Sequence, residues 1–228
     1  MTSVRTEGRR AFRDRREAGR VVARFLAGYR GRDDVLVLGL ARGGVPVGWE
    51  VAAALAAPLD VCLVRKLGVP QWPELAMGAV ATGGGVVLNE DLLRNLDIGA
   101  ETVDAAITRE TAELHRREQA YRGGRDTPDV AGKTVILIDD GLATGASMVA
   151  AVRSVRHGGP ARIVVAVPVG PASVCRQLRE ECDEVVCASM PADFSAVGAF
   201  YDDFHQVGDD EVRELLATPT EQRVSGKP

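Results

Sequence analysis

A chain of 228 residues that is 46% hydrophobic can bury a substantial core, and it fits one α/β domain of ordinary size with small additions better than two. Charged residues make up 26% and the formal net charge is −4, so there is no overall basic field to hold a nucleic-acid backbone. No charged-then-apolar leader opens the chain and no apolar run approaches the roughly 18 residues of a membrane span, so a soluble, cytoplasmic protein is expected.

Cys62, Cys175, Cys182 and Cys187 lack CxxC spacing and read as buried free thiols in a reducing compartment. In chain order, the opening segment RTEGRRAFRDRREAGR interleaves basic and acidic side chains, the pattern of a solvated helix face. Phe12, Val22, Phe25 and Leu26 predict an amphipathic helix over about Phe12 to Leu26, packed on the outside of a sheet. DDVLVLGLARGG then gives a buried strand, Val35 to Leu40, and a tight loop. An alanine-rich helix, Val45 to Ala56, stops before Pro58, and DVCLVRKL gives a second strand over Asp60 to Lys66. Strand, helix and strand with short connections describe a right-handed βαβ unit.

Gly68 to Glu74 carries two prolines and no periodicity and reads as a loop. LAMGAVATGGGVVLN predicts an antiparallel arm turning at Thr82 to Gly85, where glycines can take positive φ. Val103, Ile107, Leu114 and Tyr121 share one face of what should be the longest helix, about Ala100 to Tyr121. Strand Thr134 to Ile138, helix Ala146 to Arg156, strand Arg162 to Val167, helix Ala172 to Glu180 and strand Glu184 to Cys187 continue the alternation. The fold class expected is α/β: a doubly wound, mostly parallel sheet with flanking helices, a hairpin arm and a small hood. Ligands of such sheets sit beyond the carboxyl ends of the strands.

At one such end stands VILIDDGLATGASM, Val135 to Met148. Backbone N–H groups at the start of the following helix suit a phosphate, with Thr144 and Ser147 as hydroxyl donors. The spacing is neither a Walker A loop nor a GxGxxG fingerprint. Asp139 and Asp140 would repel a phosphate unless they face hydroxyls or a divalent cation, since ionised carboxylates only accept hydrogen bonds and are hard oxygen ligands suited to Mg²⁺. A ribose diol next to a phosphate satisfies both halves of the motif.

IDDGLATGAS closely resembles the phosphoribosyl pyrophosphate signature of the type I phosphoribosyltransferases. The resemblance implies that Asp139 and Asp140 hold the 2′ and 3′ hydroxyls, take part in catalysis and meet Mg²⁺, directly or through ligand or water. It implies that Gly141 and the loop Ala143, Thr144, Gly145, Ala146 and Ser147 bind the 5′-phosphate. LARGGVPVG resembles the family's pyrophosphate loop, which in many members contains a non-proline cis peptide, and implicates Arg42, Gly43 and Gly44. VRKLG resembles the entry to the family's mobile catalytic loop, with Lys66 as the catalytic cation and Arg65 as its alternate, because neighbouring strand residues face opposite ways.

The hood is expected from residues of about 1–30 and 189–212 within a domain of 1–217, followed by a polar tail at 218–228. Tyr201 or Phe204 could stack on a planar base, against the plainer alternative of a small satellite core. Ala143 stands where 6-oxopurine enzymes of the family carry a further acid, which argues against that acceptor. From Leu36 to about Val212 the chain is similar to a group of bacterial phosphoribosyltransferases sometimes joined to a hydrolase domain, which the polar ending TPTEQRVSGKP gives no reason to expect here. His115, His157 and His205 show no metal-ligand spacing and read as structural.

The function expected is transfer of a 5-phosphoribosyl group from phosphoribosyl pyrophosphate to a nitrogen of a nucleobase-like acceptor, with Mg²⁺ as cofactor. Neither nucleic acid nor membrane is expected as a partner, and a homodimer is in keeping with the family. A non-catalytic sensor of phosphoribosyl pyrophosphate or a nucleotide, and a phosphoribosyl hydrolase, are the alternatives.

Overall fold

The computed structural model describes residues 12–218. The elements are α1 (Arg15–Phe25), β1 (Val35–Leu40), α2 (Gly44–Leu55), β2 (Leu59–Cys62), β3 (Val64–Val69), β4 (Trp72–Ala81), β5 (Gly85–Leu88), α3 (Glu90–Asn95), α4 (Ala100–Arg122), β6 (Thr134–Ile138), α5 (Ala146–His157), β7 (Arg162–Val169), α6 (Ala172–Leu178), β8 (Glu184–Ser189) and α7 (Asp209–Ala217). Residues 1–11 of the expected hood, and the tail beyond Thr218, lie outside the described residues.

Five strands form one parallel sheet in the order β2-β1-β6-β7-β8, which puts β6 at its centre. All six residues of β1 and all five of β6 are buried, as expected of strands covered on both faces. Their side chains alternate between two cores. Leu36, Leu38, Val135 and Leu137 meet Met148 and Val152 of α5 on one face. Val35, Val37, Ile136 and Ile138 meet Val22 of α1 and Val47 and Val51 of α2 on the other. Each such side chain contributes about 1.5–3 kcal/mol of apolar burial, so the strand ends that carry the site are firmly held.

The expected strand over Asp60 to Lys66 is two strands. Its first part, β2, pairs in parallel with β1, and the chain then changes partner at Leu63, so that β3 pairs antiparallel with β4. Thr82 holds the changeover, its Oγ1 accepting a hydrogen bond from the Leu63 amide at 2.8 Å. Gly68 to Glu74 is not a loop throughout. β3 runs to Val69 and β4 starts at Trp72, leaving only Pro70 and Gln71 for the turn, because Pro70 sits where no ladder N–H is needed. The arm is therefore a three-stranded sheet, β3-β4-β5, with the second turn at Thr82 to Gly84 as predicted. The long helix α4 and α7 cover it, burying Leu67, Met77, Val103, Leu114 and Leu215 together.

The first helix begins at Arg15 and not at Phe12. Asp14 caps it by accepting from the Glu17 amide at 2.7 Å, and Glu17 accepts in turn from the Arg13 amide at 2.7 Å. The solvated-face reading of this segment also needs correction. Arg15 is buried, and Arg16 and Arg20 form ion pairs with the buried Glu50 of α2 at 3.6 and 3.2 Å. All four cysteines are buried and free, as expected. No helix of the described residues is long and apolar enough to cross a membrane.

Candidate active site

The carboxyl end of β6 delivers Asp139 and Asp140 to the edge of the sheet, where both keep only partial contact with solvent. Asp139 accepts a hydrogen bond from the Asp140 amide at 2.8 Å. Burial, and then the neighbouring Asp140 carboxylate, push the Asp139 carboxyl well above the ordinary carboxylate range. Burial raises Asp140 as well, opposed by Arg15, whose Nε donates to Asp140 Oδ2 at 2.9 Å.

Beyond the acids the chain turns into α5 through residues 141–145. Leu142 is buried and its amide is fixed by the Val169 carbonyl at 2.9 Å, while Ala143, Thr144, Ala146 and Ser147 are exposed. Gly145 caps α5 with φ at +76°, a conformation that side chains disfavour. A cavity of about 170 Å³ runs along residues 141–148, with Asp139 and Val197 on its wall. Backbone amides at the start of a twelve-residue helix make this a place for an anion.

The loop between β1 and α2 lies against the acids. A Cβ on Gly43 would overlap Asp140 Oδ2, and one on Gly44 would overlap the Ile138 carbonyl, so only glycine permits the two loops to touch. The peptide bond between Ala41 and Arg42 is cis, as in the family loop this segment resembles. The Arg42 side chain reaches Asp209 of α7 at 3.5 Å, and Tyr121 donates to the same carboxylate oxygen at 2.5 Å.

The fold thus brings together Asp139, Asp140, Gly43, Gly44 and the loop Gly141 to Ser147. Arg65 and Lys66 stand apart. Arg65 is engaged by Glu110 at 2.6 Å, and Lys66 is exposed inside β3, paired in register with Ala79, where a parallel strand's end was expected. Among the described residues no hydrogen bond or ion pair joins Lys66 to the acids. Tyr201 is buried between Phe12 and Phe204, at ring-centroid distances of 5.5 and 5.0 Å, and its hydroxyl donates to the Asp140 carbonyl at 2.6 Å. Phe204 is partly exposed beneath the Arg15 guanidinium, 4.0 Å from the ring centroid. The histidines stay out of the site: His157 closes α5, and His205 pairs with Asp203 at 3.0 Å.

Arg15, Val197 and Asp209 escaped the sequence reading. None carried a local signal, since Arg15 stands at the first helical position only once Asp14 is known to cap the helix. A larger hollow, of about 810 Å³, lies by the end of α4 but shares no residue with the acidic pair, and its buried cation Arg122 is consumed by Asp60 at 3.0 Å. Volume is a poorer guide here than chemistry.

A central strand ending in two carboxylates, then a small-residue loop into a helix, within an otherwise parallel sheet, defines the type I phosphoribosyltransferase class. A model of the phosphoribosyl transferase domain matches residues 10–205, and the chain belongs to that family. It is 47% identical over 205 residues to a Mycobacterium tuberculosis protein whose provisional name is phosphoribosyl transferase Rv0571c, covering 90% of this chain and 46% of that one. The chain therefore spans about half the length of the curated relatives it matches. The crystal structure of TT1426 from Thermus thermophilus superposes with a TM-score of 0.78 at 45% identity, covering 90% of this chain and 97% of that one.

Proposed function

We propose that the protein transfers a 5-phosphoribosyl group from phosphoribosyl pyrophosphate to a nitrogen of a base-like acceptor and releases pyrophosphate. The observation that carries this reading is that Asp139, the first of the two adjacent acids, stands on the wall of the cavity along residues 141–148. One ligand with a diol beside a phosphate would meet both.

In this reading Asp139 and Asp140 accept hydrogen bonds from the ribose hydroxyls and favour positive charge developing on the sugar, while the backbone amides of Thr144 to Ser147 and the Thr144 and Ser147 hydroxyls hold the 5′-phosphate. The amides of Gly43 and Gly44, with Arg42, receive the pyrophosphate as it leaves, and Lys66 approaches on the arm. Arg42 must then exchange Asp209 for the ligand. The protein's main work is positioning and charge stabilisation. The hood, from about residues 1–30 and 189–212, would enclose the acceptor, with Tyr201 as a wall and Phe204 as the more accessible ring.

Magnesium fits this donor set in one way. Among the described residues no three metal-ligating side chains converge, so these residues offer no cage of their own. Two adjacent carboxylates suit an ion that arrives with substrate phosphates and keeps most of its waters. Asp139 and Asp140 would hold it, and it would neutralise charge on the pyrophosphate.

The test is incubation with Mg²⁺, phosphoribosyl pyrophosphate and a panel of bases, read by mass spectrometry. A new nucleoside monophosphate with pyrophosphate release is expected. Binding without pyrophosphate release in any mixture would point to a sensor, and release without a nucleotide product to a hydrolase.

A further inference from the structure

Arg15 belongs to the hood and Asp140 to the floor, and a hydrogen bond joins them. The guanidinium is engaged on three sides. Nε donates to Asp140 Oδ2 at 2.9 Å, Nη1 donates to the His205 carbonyl at 2.8 Å, and the plane lies over the Phe204 ring at 4.0 Å. The Arg15 side chain is 8% exposed and that of Asp140 15%, so the pair is poorly screened by water. The partners on the far side come from the segment that also carries Tyr201, whose hydroxyl holds the Asp140 carbonyl. One residue of the floor is thus gripped at both its side chain and its backbone by the hood.

We infer that Arg15 is the positioning residue for Asp140: it leaves one carboxylate oxygen, Oδ1, for the ligand and ties that orientation to the docked state of the hood. The inference rests on the phosphoribosyl pyrophosphate reading above and deepens it. A carboxylate with a buried charged hydrogen bond to Oδ2 cannot rotate without breaking it, so Oδ1 is presented in one direction. Linkage follows, since a ligand that needs this orientation binds the docked hood better and stabilises it in return.

The experiment is calorimetric titration of the full chain with phosphoribosyl pyrophosphate and Mg²⁺, with melting curves for every variant. Arg15→Ala should weaken binding about ten-fold, the order expected for a buried charge-assisted hydrogen bond. Ethylguanidinium, which restores the missing head group, should recover affinity in Arg15→Ala and do nothing to the unaltered protein. Phe12→Leu, which loosens the hood core without touching the guanidinium, should keep affinity within about two-fold while lowering the melting temperature. Equal affinity in Arg15→Ala and the unaltered chain would overturn the inference, as would equal losses in Arg15→Ala and Phe12→Leu without rescue. Failure of the unaltered chain to bind at all would instead overturn the phosphoribosyl pyrophosphate reading, and the inference with it.

Discussion

The five-stranded sheet and the three-stranded arm meet water in opposite ways. Along β1, β6 and nearly all of β7 every residue is buried, whereas β3 buries only Leu67 and Val69 and β4 starts with an exposed Trp72. The first arrangement fixes the acids and the loop after them in a frame that cannot shift without breaking two cores. The second leaves Lys66 exposed while Glu110 of α4 holds Arg65, and its outer face lacks the packing that fixes the central sheet.

Leu137→Ala should break the frame most severely. The side chain is fully buried in β6, and about 3–5 kcal/mol of stability should be lost in urea denaturation, with the site lost along with it. Asp139→Asn should separate binding from stability. Removing a charge that burial and Asp140 both disfavour should leave the melting temperature equal or higher, while affinity for phosphoribosyl pyrophosphate falls by about ten-fold or more in calorimetry. Lys66→Ala tests the arm. It should leave melting unchanged and reduce turnover in the mass-spectrometric assay, and an unaltered rate would remove this residue from the reading.

Trp72→Ala, at a side chain 57% exposed, should change stability by less than about 0.5 kcal/mol, against the large loss in the frame. The smallest effect is electrostatic. Hydrogen bonds from Arg32, and then from Thr134, hold the Asp34 carboxyl down to about 2 from an ordinary 3.8. Its folded value lies below the unfolded one, so its contribution is complete above the ordinary value and fades as pH falls toward the lower one. Asp34→Asn should flatten the stability profile in that acid window and nowhere else.

What could be read from the sequence follows the same division. Val35 to Leu40 and Thr134 to Ile138 were legible to the residue because strands buried on both faces must be continuously apolar. The placing of the acid pair at a strand end and of its loop before α5 was legible because an apolar run stops at the two carboxylates and small residues follow. The break at Leu63 was hidden, since a change of hydrogen-bonding partner alters no hydropathy. The turn at Pro70 and Gln71 was hidden by two prolines that suggested a longer loop. The partner of Arg15 lies 125 positions away, beyond any local pattern, and the Arg42 contact with Asp209 was hidden for the same reason.

The pairing of Phe12 with Tyr201 has a consequence for the order in which the molecule is built. The Phe12 amide donates to the Phe200 carbonyl and the Phe12 carbonyl accepts from the Asp202 amide, so the first described residue is joined to a segment late in the chain. During synthesis from the amino end, the segment before α1 must wait for almost the whole remainder to emerge before it finds its place. Asp140 is made long before the strand-like pairing that brings Arg15 to rest beside it. A nascent chain interrupted short of Tyr201 would hold its central sheet residues and its acids, and would still be without the roof that orients one of them.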